Sequence, residues 1–333
     1  MQQHTVVVVV YEGALLLNIA GPAEVFSTAN RELASTPVSS KRPYRLQYAS
    51  LHAGQVGLSC GLHVATEKLT EIASGAAQTV LVPGGPGYLT AARNAALVSH
   101  LTQIMAGAER ACAIGNGAYL LARTGQLDRR HCVTHWRYVD EMRRDFPTVR
   151  TKADAVYVRD GKFFTSAGVS AGLDLCIELV EQDLGPQIAA QTARSLVVFM
   201  RRSGTQPQIS ASLAAQDGLS SRMREAISWI SDNYHRDIKI GDMASQANMS
   251  ERNFARQFRK EHGVSPGQFL ERIRLEAAKT LFSETRLTIG AVSRRVGFSS
   301  SEHLARLFKR CLGVTPLNYR KSSRRVPPQH PSH

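Results

Sequence analysis

The chain has 333 residues, enough for two domains with separate hydrophobic cores, and its composition is that of an ordinary globular protein. Its apolar run from Val6 to Val10 is too short to cross a bilayer, so a membrane protein is not expected. The net charge is +14, and residues 221–333 hold 21 Lys and Arg against 10 Asp and Glu, which leaves 20 against 17 for residues 1–220. A basic C-terminal part favours a polyanionic partner such as nucleic acid, with a solvated basic surface as the alternative.

The cysteines and the N-terminus indicate the cellular compartment. The five cysteines are an odd number without CxxC spacing, which favours reduced thiols and gives no support for a metal site. The first residues, Met1 to His4, lack the basic region of a signal peptide. The sequence therefore predicts a cytoplasmic protein without a metal or cofactor.

Residues 4–200 alternate between short apolar, β-branched runs and helix-like segments. The predicted strands are Thr5–Val10, Arg45–Ala49, Thr79–Val82, Ala111–Ile114 and Ala155–Val158. The predicted helices are Gly21–Leu33, Ala95–Gly107, Gly117–Arg123 and Gly168–Gln182. This alternation predicts an α/β domain, with a mostly parallel sheet covered by helices on both faces.

The pattern changes near residue 201. Residues 201–221 are rich in Ser, Gln, Gly and Pro, which is typical of a linker, and the residues beyond them contain helix-like runs without strand-like ones. The predicted boundaries are an α/β domain at 1–202, a linker at 203–220, an all-α domain at 221–322 and a disordered tail at 323–333.

The predicted all-α domain contains a repeat. ARQFRKEHGVSP (255–266) and ARLFKRCLGVTP (305–316) are offset by 50 residues, and a shorter helix precedes each copy. A short helix, a turn and a longer helix that begins at Ser form the pattern of a helix-turn-helix unit. Ser250 is the predicted N-cap of the first long helix, and Ser300 or Ser301 is that of the second. Between the copies, the apolar stripe of residues 268–285 predicts a helix that bridges two subdomains.

Two helix-turn-helix units in one chain predict binding to double-stranded DNA, because recognition helices ~34 Å apart can enter successive major grooves. Exposed positions near the start of each long helix are assigned to base edges, and those a turn later to phosphates. The residues assigned to base edges are Arg252, Asn253, Arg256, Ser301, His303 and Arg306. The residues assigned to phosphates are Arg259, Lys260, Lys309 and Arg310. A solvated helix face is the alternative for Arg256 and Arg306, but their matching places in the repeat favour DNA.

About the last hundred residues resemble the AraC/XylS family of transcription regulators. The stretch GFSSSEHLARLFKRCLGVTPLNYR, residues 297–320, carries the resemblance. It implies sequence-specific binding to a promoter operator, a homodimer, and contact with RNA polymerase if the protein is an activator.

A glycine turn in the α/β domain has the shape of a nucleophile elbow. Residues 111–121, ACAIGNGAYLL, predict a buried strand, a tight turn and a helix, which is where enzymes place an attacking side chain. The turn is Gly115-Asn116-Gly117 and offers no thiol or hydroxyl, while Cys112 lies inside the strand. Glycine accepts the positive φ of such a turn, so the shape can persist without the chemistry.

Residues 4–200 resemble the ThiJ/PfpI superfamily. The motifs that carry the resemblance are GPAEVF (21–26), VPGGPG (82–87), THW (134–136) and TSAGVSAGLDL (165–175). The resemblance implies the flavodoxin-like fold of class I glutamine amidotransferases, a nucleophilic cysteine at the position of Gly115 and a catalytic histidine at His135. Together, the two halves make the chain similar to GlxA-type regulators.

The missing nucleophile predicts a ligand pocket instead of a catalytic site, so the chain is not expected to be an enzyme. The residues assigned to this pocket are Glu24, Gly84, Gly85, Gly115, Asn116, His135 and Ser166. The family often has Asp where Asn18 stands, which would weaken contact with a cationic ligand. Glu24 as a charge at a helix start, His135 as a core histidine and a pocket without any ligand remain alternatives.

The preferred function is a DNA-binding transcription regulator, an activator that dimerises through the N-terminal domain and senses a small metabolite there. The resemblance suggests a nitrogen-containing metabolite. One alternative is a ThiJ/PfpI-type hydrolase or hydratase with a DNA-binding appendage. Another is a front half that serves only as a dimerisation platform.

Overall fold

The computed structural model describes residues 3–35, 43–73, 75–198, 202, 204, 206, 208–209 and 221–324. Contacts between Cα atoms divide the chain into two compact units, Met1–Gln208 and Ile209–His333. Within the described ranges, every helix is too short or too polar to serve as a transmembrane span.

Unit 1 is built on a twisted sheet of eight strands. Among the described residues, the strands of the unit are β1 (His4–Val9), β2 (Tyr44–Ser50), β3 (Gly54–Gly57), β4 (His63–Lys68), β5 (Thr79–Val82), β6 (Arg110–Ile114), β7 (His131–Val133), β8 (Arg150–Lys152), β9 (Tyr157–Asp160) and β10 (Phe163–Ser166). The sheet order is β3-β4-β2-β1-β5-β6-β10-β9, and β7 pairs with β8 separately. Pairing is parallel from β4 to β10 and antiparallel at the two edges.

Within the described residues, unit 1 also contains the following helices. They are α1 (Leu16–Ala34), α2 (Tyr88–Arg93), α3 (Ala95–Gly107), α4 (Gly117–Arg123), α5 (Val139–Asp145) and α6 (Val169–Ser195), the last with a kink at Gly185. α1 packs against α6. The residues of β1 from Val6 to Val9 are fully buried, as expected of a central parallel strand with helices on both faces. The predicted α/β class is therefore confirmed.

Several predicted elements of unit 1 have different bounds in the structure; the helix predicted at 168–182, for example, is α6 and continues to Ser195. α1 begins at Leu16 and not at Gly21. The prediction was wrong because a Gly-Pro pair usually marks a helix start, whereas Pro22 lies inside this helix. Glu24 is consequently in the third turn of α1 and not at its N-terminus. The strand predicted at 155–158 is shifted to β9, which forms a hairpin with the unpredicted β10.

The start of the predicted linker packs on unit 1. Arg202 donates to the buried carboxylate of Asp174, with 2.8 Å between Nε and Oδ2, and the carbonyl of Gly204 accepts a hydrogen bond from Val156 at 3.1 Å. Gln206 is 5% exposed. These contacts correct the boundary predicted at residue 203, because a polar composition also suits a segment bound by side-chain hydrogen bonds. Residues 210–220 of that linker lie outside the described residues.

Unit 2 is helical where the structure describes it. Its helices are α7 (Ser221–Asn233), α8 (Ile240–Gln246), α9 (Glu251–His262), α10 (Pro266–Glu284), α11 (Ile289–Arg295), α12 (Ser301–Leu312) and α13 (Pro316–Arg324). α8 with α9 and α11 with α12 form the two predicted helix-turn-helix units. The predicted tail at 323–333 is corrected at its start, because α13 continues to Arg324; residues 325–333 lie outside the described part of the chain.

α10 belongs to two hydrophobic cores. Phe269, Leu270 and Ile273 pack in the core of the first helix-turn-helix unit. The core of the second unit takes Leu275, Ala278 and Phe282 from the same helix. The prediction of a bridging helix is confirmed.

The repeated recognition helices start and end alike. Ser250 and Ser300 both have extended backbones at the N-cap, but only the Ser300 hydroxyl accepts from the backbone, at 3.2 Å from the nitrogen of His303. Ser300 rather than Ser301 is therefore the cap of α12. Gly263 and Gly313 end α9 and α12 with φ near +70° and +69°, a conformation that glycine adopts without steric cost.

Candidate functional site

Gly115 forms the turn between β6 and α4 with φ of +58°, the left-handed conformation expected of the elbow. Its N–H donates to the carbonyl of Ser166 at 2.8 Å, and its own carbonyl accepts from the Thr134 hydroxyl at 3.0 Å. A Cβ added at Gly115 would lie 3.6 Å from the Ala167 oxygen and 3.8 Å from the Asn18 amide nitrogen, which are ordinary contacts. The elbow has its expected shape and leaves space where a side chain would stand.

Cys112 does not replace the missing nucleophile. It is fully buried within β6, and burial raises the pKa of its thiol to about 12. A neutral, enclosed thiol is a poor nucleophile. The elbow therefore lacks the thiolate that Cys–His chemistry requires.

Asn116 fixes the glycine loop to the elbow. Its Oδ1 accepts the N–H of Gly85 at 2.8 Å, and its Nδ2 donates to the Gly85 carbonyl at 3.2 Å. A Cβ at Gly84 would lie 2.7 Å from the Ile114 carbonyl, so the loop packs directly on the end of β6. Asn116 and the Gly85 backbone are therefore hydrogen-bonded to each other in the structure, and neither of these bonds is left for a ligand.

We expect Asn116→Ala to lower the free energy of unfolding of unit 1 by about 1–3 kcal/mol, because the buried Gly85 N–H would lose its acceptor. Urea unfolding, monitored by hydrogen-exchange mass spectrometry of unit 1 peptides, measures this loss. Asn30→Ala is the matched control for the cost of removing a side-chain amide away from the elbow, because it removes two partly buried hydrogen bonds to the Tyr44 backbone. Unchanged stability with loss of a ligand response would contradict the structural role and return Asn116 to the pocket.

Two buried polar atoms beside Gly115 have no hydrogen-bond partner within the described residues: Oδ1 of Asn18 and Oγ of Ser166. Their residues are 3% and 0% exposed. Buried polar groups are nearly always paired, and leaving one unpaired costs about 1–3 kcal/mol. A bound molecule that donates a hydrogen bond to Asn18 and pairs with the Ser166 hydroxyl would satisfy both.

His135 lies near the elbow. The Cα of Gly168 is 3.7 Å from a Cβ added at Gly115, and Gly168 in turn neighbours His135. A Cβ added at Gly168 would lie 3.4 Å from the Cδ2 atom of His135. Burial, and then the charge of Arg137, lower the pKa of His135, so its imidazole is neutral at pH 7. Nδ1 accepts from the N–H of Arg137 at 3.3 Å, which assigns the ring proton to Nε2 and makes that atom a donor.

The structure does not bring Glu24 to this site. Its side chain is 63% exposed, and its nearest ionic partner is Arg31, 3.9 Å away on the next turn but one of α1. Of the residues assigned from sequence, Gly115, His135 and Ser166 meet at the elbow, and Asn18 joins them. The resemblance had pointed to the position of Asn18, although the missing acidic charge argued against its use.

Gln208, the last residue of unit 1, is held beside the elbow. Its Oε1 accepts from the N–H of Trp136 at 2.8 Å, and its Nε2 donates to the Thr134 carbonyl at 2.9 Å. The hydroxyl of the same Thr134 holds the carbonyl of Gly115. Thr134 therefore links the elbow to Gln208, where the chain leaves unit 1.

The first recognition helix, α9, has one apolar and one basic face. Phe254 and Phe258 are fully buried and pack in the core of the first helix-turn-helix unit. The exposed basic residues are Arg252, Arg256, Arg259 and Lys260, at the spacing of one helical face. Asn253 is half-buried, and its Oδ1 accepts from Arg256 at 3.0 Å. This arrangement fits a helix whose exposed side meets DNA.

α12 differs from α9 at the matching face. Arg306 and Lys309 are exposed and Ser301 is half-buried. Glu271 of α10 pairs with two residues assigned to DNA: His303 Nε2 lies 3.1 Å from Oε1, and an Arg310 nitrogen lies 2.5 Å from Oε2. The structure thus directs His303 and Arg310 toward Glu271 of α10.

Glu302 is an exposed residue that the assignment from sequence omitted. The 50-residue offset places it where α9 has Arg252, and this comparison could have found it. Hydrogen bonds from its own backbone N–H and from the Ser300 hydroxyl lower the pKa of Glu302, so it is ionised. A carboxylate in a major groove accepts from cytosine N4, whereas Arg prefers guanine. The two recognition helices therefore present different chemistry to DNA.

Comparisons with known proteins agree with this division. A model of the DJ-1/PfpI family matches residues 4–182, and a model described as a helix-turn-helix domain matches residues 243–322. HTH-type transcriptional regulator GbdR of Pseudomonas aeruginosa is 26% identical over 310 residues, covering 92% of this chain and 81% of GbdR. HTH-type transcriptional regulator GlxA of Rhizobium meliloti is 26% identical over 299 residues, covering 90% of this chain and 92% of GlxA. A crystal structure of a ThiJ/PfpI family protein from Pseudomonas syringae superposes with a TM-score of 0.54 at 21% identity, covering 70% of this chain and 88% of that one.

Proposed function

This chain belongs to the DJ-1/PfpI family and is a DNA-binding transcriptional regulator of the helix-turn-helix type, and from this premise we propose that it activates transcription when a small effector binds at the elbow. The regulator would act in the cytoplasm as a homodimer, on promoter DNA and with RNA polymerase. Unit 1, which extends to Gln208, would sense and dimerise, and the helices of residues 221–324 would bind DNA.

The two unpartnered atoms beside Gly115 are the observation that supports an effector site. Asn18 Oδ1 requires a donor, Ser166 Oγ can donate or accept, and the neutral His135 ring offers a donor at Nε2. A small metabolite with an amide, amine or hydroxyl group matches this set. The same groups without a thiolate are a binding site and not a hydrolytic one, so we infer that unit 1 is not catalytic.

The hydrogen bonds of Gln208 suggest how an effector signal reaches the DNA-binding unit. A ligand at the elbow would contact the loop that Thr134 and Gln208 hold together, and residue 209 begins unit 2. A ligand changes transcription only if its affinity differs between two states of the protein. The proposed states differ in whether Gln208 stays bound to the Thr134–Trp136 loop.

A thermal-shift screen with amino acids, carboxamides and ureas tests the effector site. An effector at 100 times its Kd should stabilise the wild-type chain by about 2.7 kcal/mol. Asn18→Leu should remove this shift while raising the stability of the ligand-free chain, since it replaces an unsatisfied buried amide by an apolar group of similar size. A variant that is more stable yet unresponsive cannot be explained by misfolding.

Glu24→Gln is the control, because Glu24 lies outside the elbow, and it should keep the full shift. If Asn18→Leu and Ser166→Ala both preserve regulation of a reporter promoter in cells, the elbow is not the effector site. Unit 1 would then serve as a dimerisation platform.

A further inference from the structure

A second cavity opens in unit 1, apart from the elbow. Its volume is about 260 Å³, enough for a small metabolite, and its walls come from the ends of β1 and β2, from β3 and from α2 and α3. The residues that define it are Tyr11, Glu12, His52, Gln55, Thr90 and Asn94. Neither the unpartnered atoms beside Gly115 nor His135 belongs to its lining.

The cavity lies where open α/β sheets bind ligands. β1 has β2 on one side and β5 on the other, so the chain first extends the sheet in one direction and then returns to extend it in the other. The crevice at the carboxyl ends of the strands beside such a reversal is the usual ligand site. Glu12 follows β1, His52 follows β2, and Thr90 lies on the helix after β5, so the cavity is placed at this reversal.

Glu12 supplies the charge of the cavity. Among the described lining residues, it is the only Asp, Glu, Lys or Arg. Both its carboxylate oxygens lie close to the N–H of Gly57, at 3.2 and 3.1 Å, which fixes the orientation of the group. An ionised carboxylate has about four acceptor positions, so one N–H leaves most of them for a ligand.

The remaining walls are largely apolar. Val10, Leu51, Val56 and Leu97 contribute hydrocarbon surface, and Tyr11 directs its hydroxyl to the Pro83 carbonyl at 2.8 Å and away from a ligand role. A pocket of apolar walls with one oriented polar group selects a ligand of matching shape and charge. We propose that this cavity binds a small primary ammonium compound, whose charged end donates to Glu12 and whose apolar body lies against these walls.

The experiment compares benzylamine with benzyl alcohol, which has nearly the same shape without the charge. Saturation-transfer NMR on the full chain at pH 7 should give a Kd for benzylamine at least tenfold below that of benzyl alcohol. Glu12→Gln keeps an acceptor for Gly57 and should abolish the preference, so that both compounds bind equally weakly. Thr90→Arg, at an exposed wall position, places a guanidinium near Glu12 and should prevent amine binding.

Asn18→Leu separates this cavity from the elbow. It should leave the preference for benzylamine intact, so this inference can hold when the proposed effector site fails, and the reverse is equally distinguishable. Equal binding of the two compounds to the wild-type chain would overturn the proposal. A preference that persists in Glu12→Gln, or that disappears in Asn18→Leu, would also overturn it.

Discussion

Arg256→Ala and Arg306→Ala should each weaken binding to the operator by about 1–3 kcal/mol, or roughly 5- to 150-fold. Both arginines are exposed one turn into a recognition helix, where a guanidinium can bond guanine O6 and N7 together. Fluorescence anisotropy with operator DNA and with unrelated DNA of equal length measures the effect. The loss should be confined largely to the operator, because base contacts carry specificity.

The control variants are Arg259→Ala and Lys309→Ala, which the sequence assigns to phosphates. They should weaken binding to both DNAs alike and reduce the slope of log K against log salt by about 1. If Arg256→Ala and Arg306→Ala behave in this same way, then these arginines contact the backbone. The two helices would in that case owe their specificity to other side chains, of which Glu302 is the first to test.

The second large effect concerns stability. Arg110→Met should lower the free energy of unfolding of unit 1 by about 3 kcal/mol, because it leaves the carboxylate of Asp183 mostly buried without its counter-ion. The Arg110 and Asp183 side chains are 15% and 17% exposed. Two guanidinium nitrogens of Arg110 each bond one carboxylate oxygen of Asp183, with 2.8 Å between Nη1 and Oδ2. Burial acts to lower the pKa of Arg110, but the hydrogen bonds and charge of Asp183 raise it, so the guanidinium stays charged.

A second substitution in the same pair makes this test specific. Arg110→Met with Asp183→Leu should recover most of the loss, since no buried charge remains and only the Tyr44 hydroxyl loses its acceptor. Arg130→Met breaks the more exposed pair with Asp160 and should cost less than about 1 kcal/mol. Urea unfolding followed by hydrogen exchange of unit 1 peptides gives these values. A double variant no more stable than Arg110→Met would show that the loss comes from packing.

The helices and central strands could be predicted because their signals are local. α3 and α4 have the predicted bounds, and the repeat with its Ser residues at the helix starts placed the recognition helices. The start of α1 could not be predicted, since burial of Asn18, Ile19 and Pro22 overrides the local signal of Gly-Pro. The β9–β10 hairpin was also missed, because its pairing depends on a neighbouring strand some fifty residues earlier, β6.

The candidate site was predictable in position and less so in its contacts. The glycine turn identified Gly115, and its register with β10 brings Ser166 beside it. Which amides are free depends on tertiary contacts, so Asn116 and Gly85 were assigned to a ligand although they bind each other. The cavity at Glu12 left no sequence signal, because its walls come from five separate elements.

The helix shared by the two DNA-reading units also restricts how operators can evolve. Since α10 is part of both cores, the recognition helices cannot separate without disrupting one of them. An inserted base pair between the half-sites would turn one of them by about a tenth of a B-DNA turn away from its helix. Promoters served by this protein can therefore diverge by substitution, whereas insertions and deletions between half-sites should be eliminated by selection.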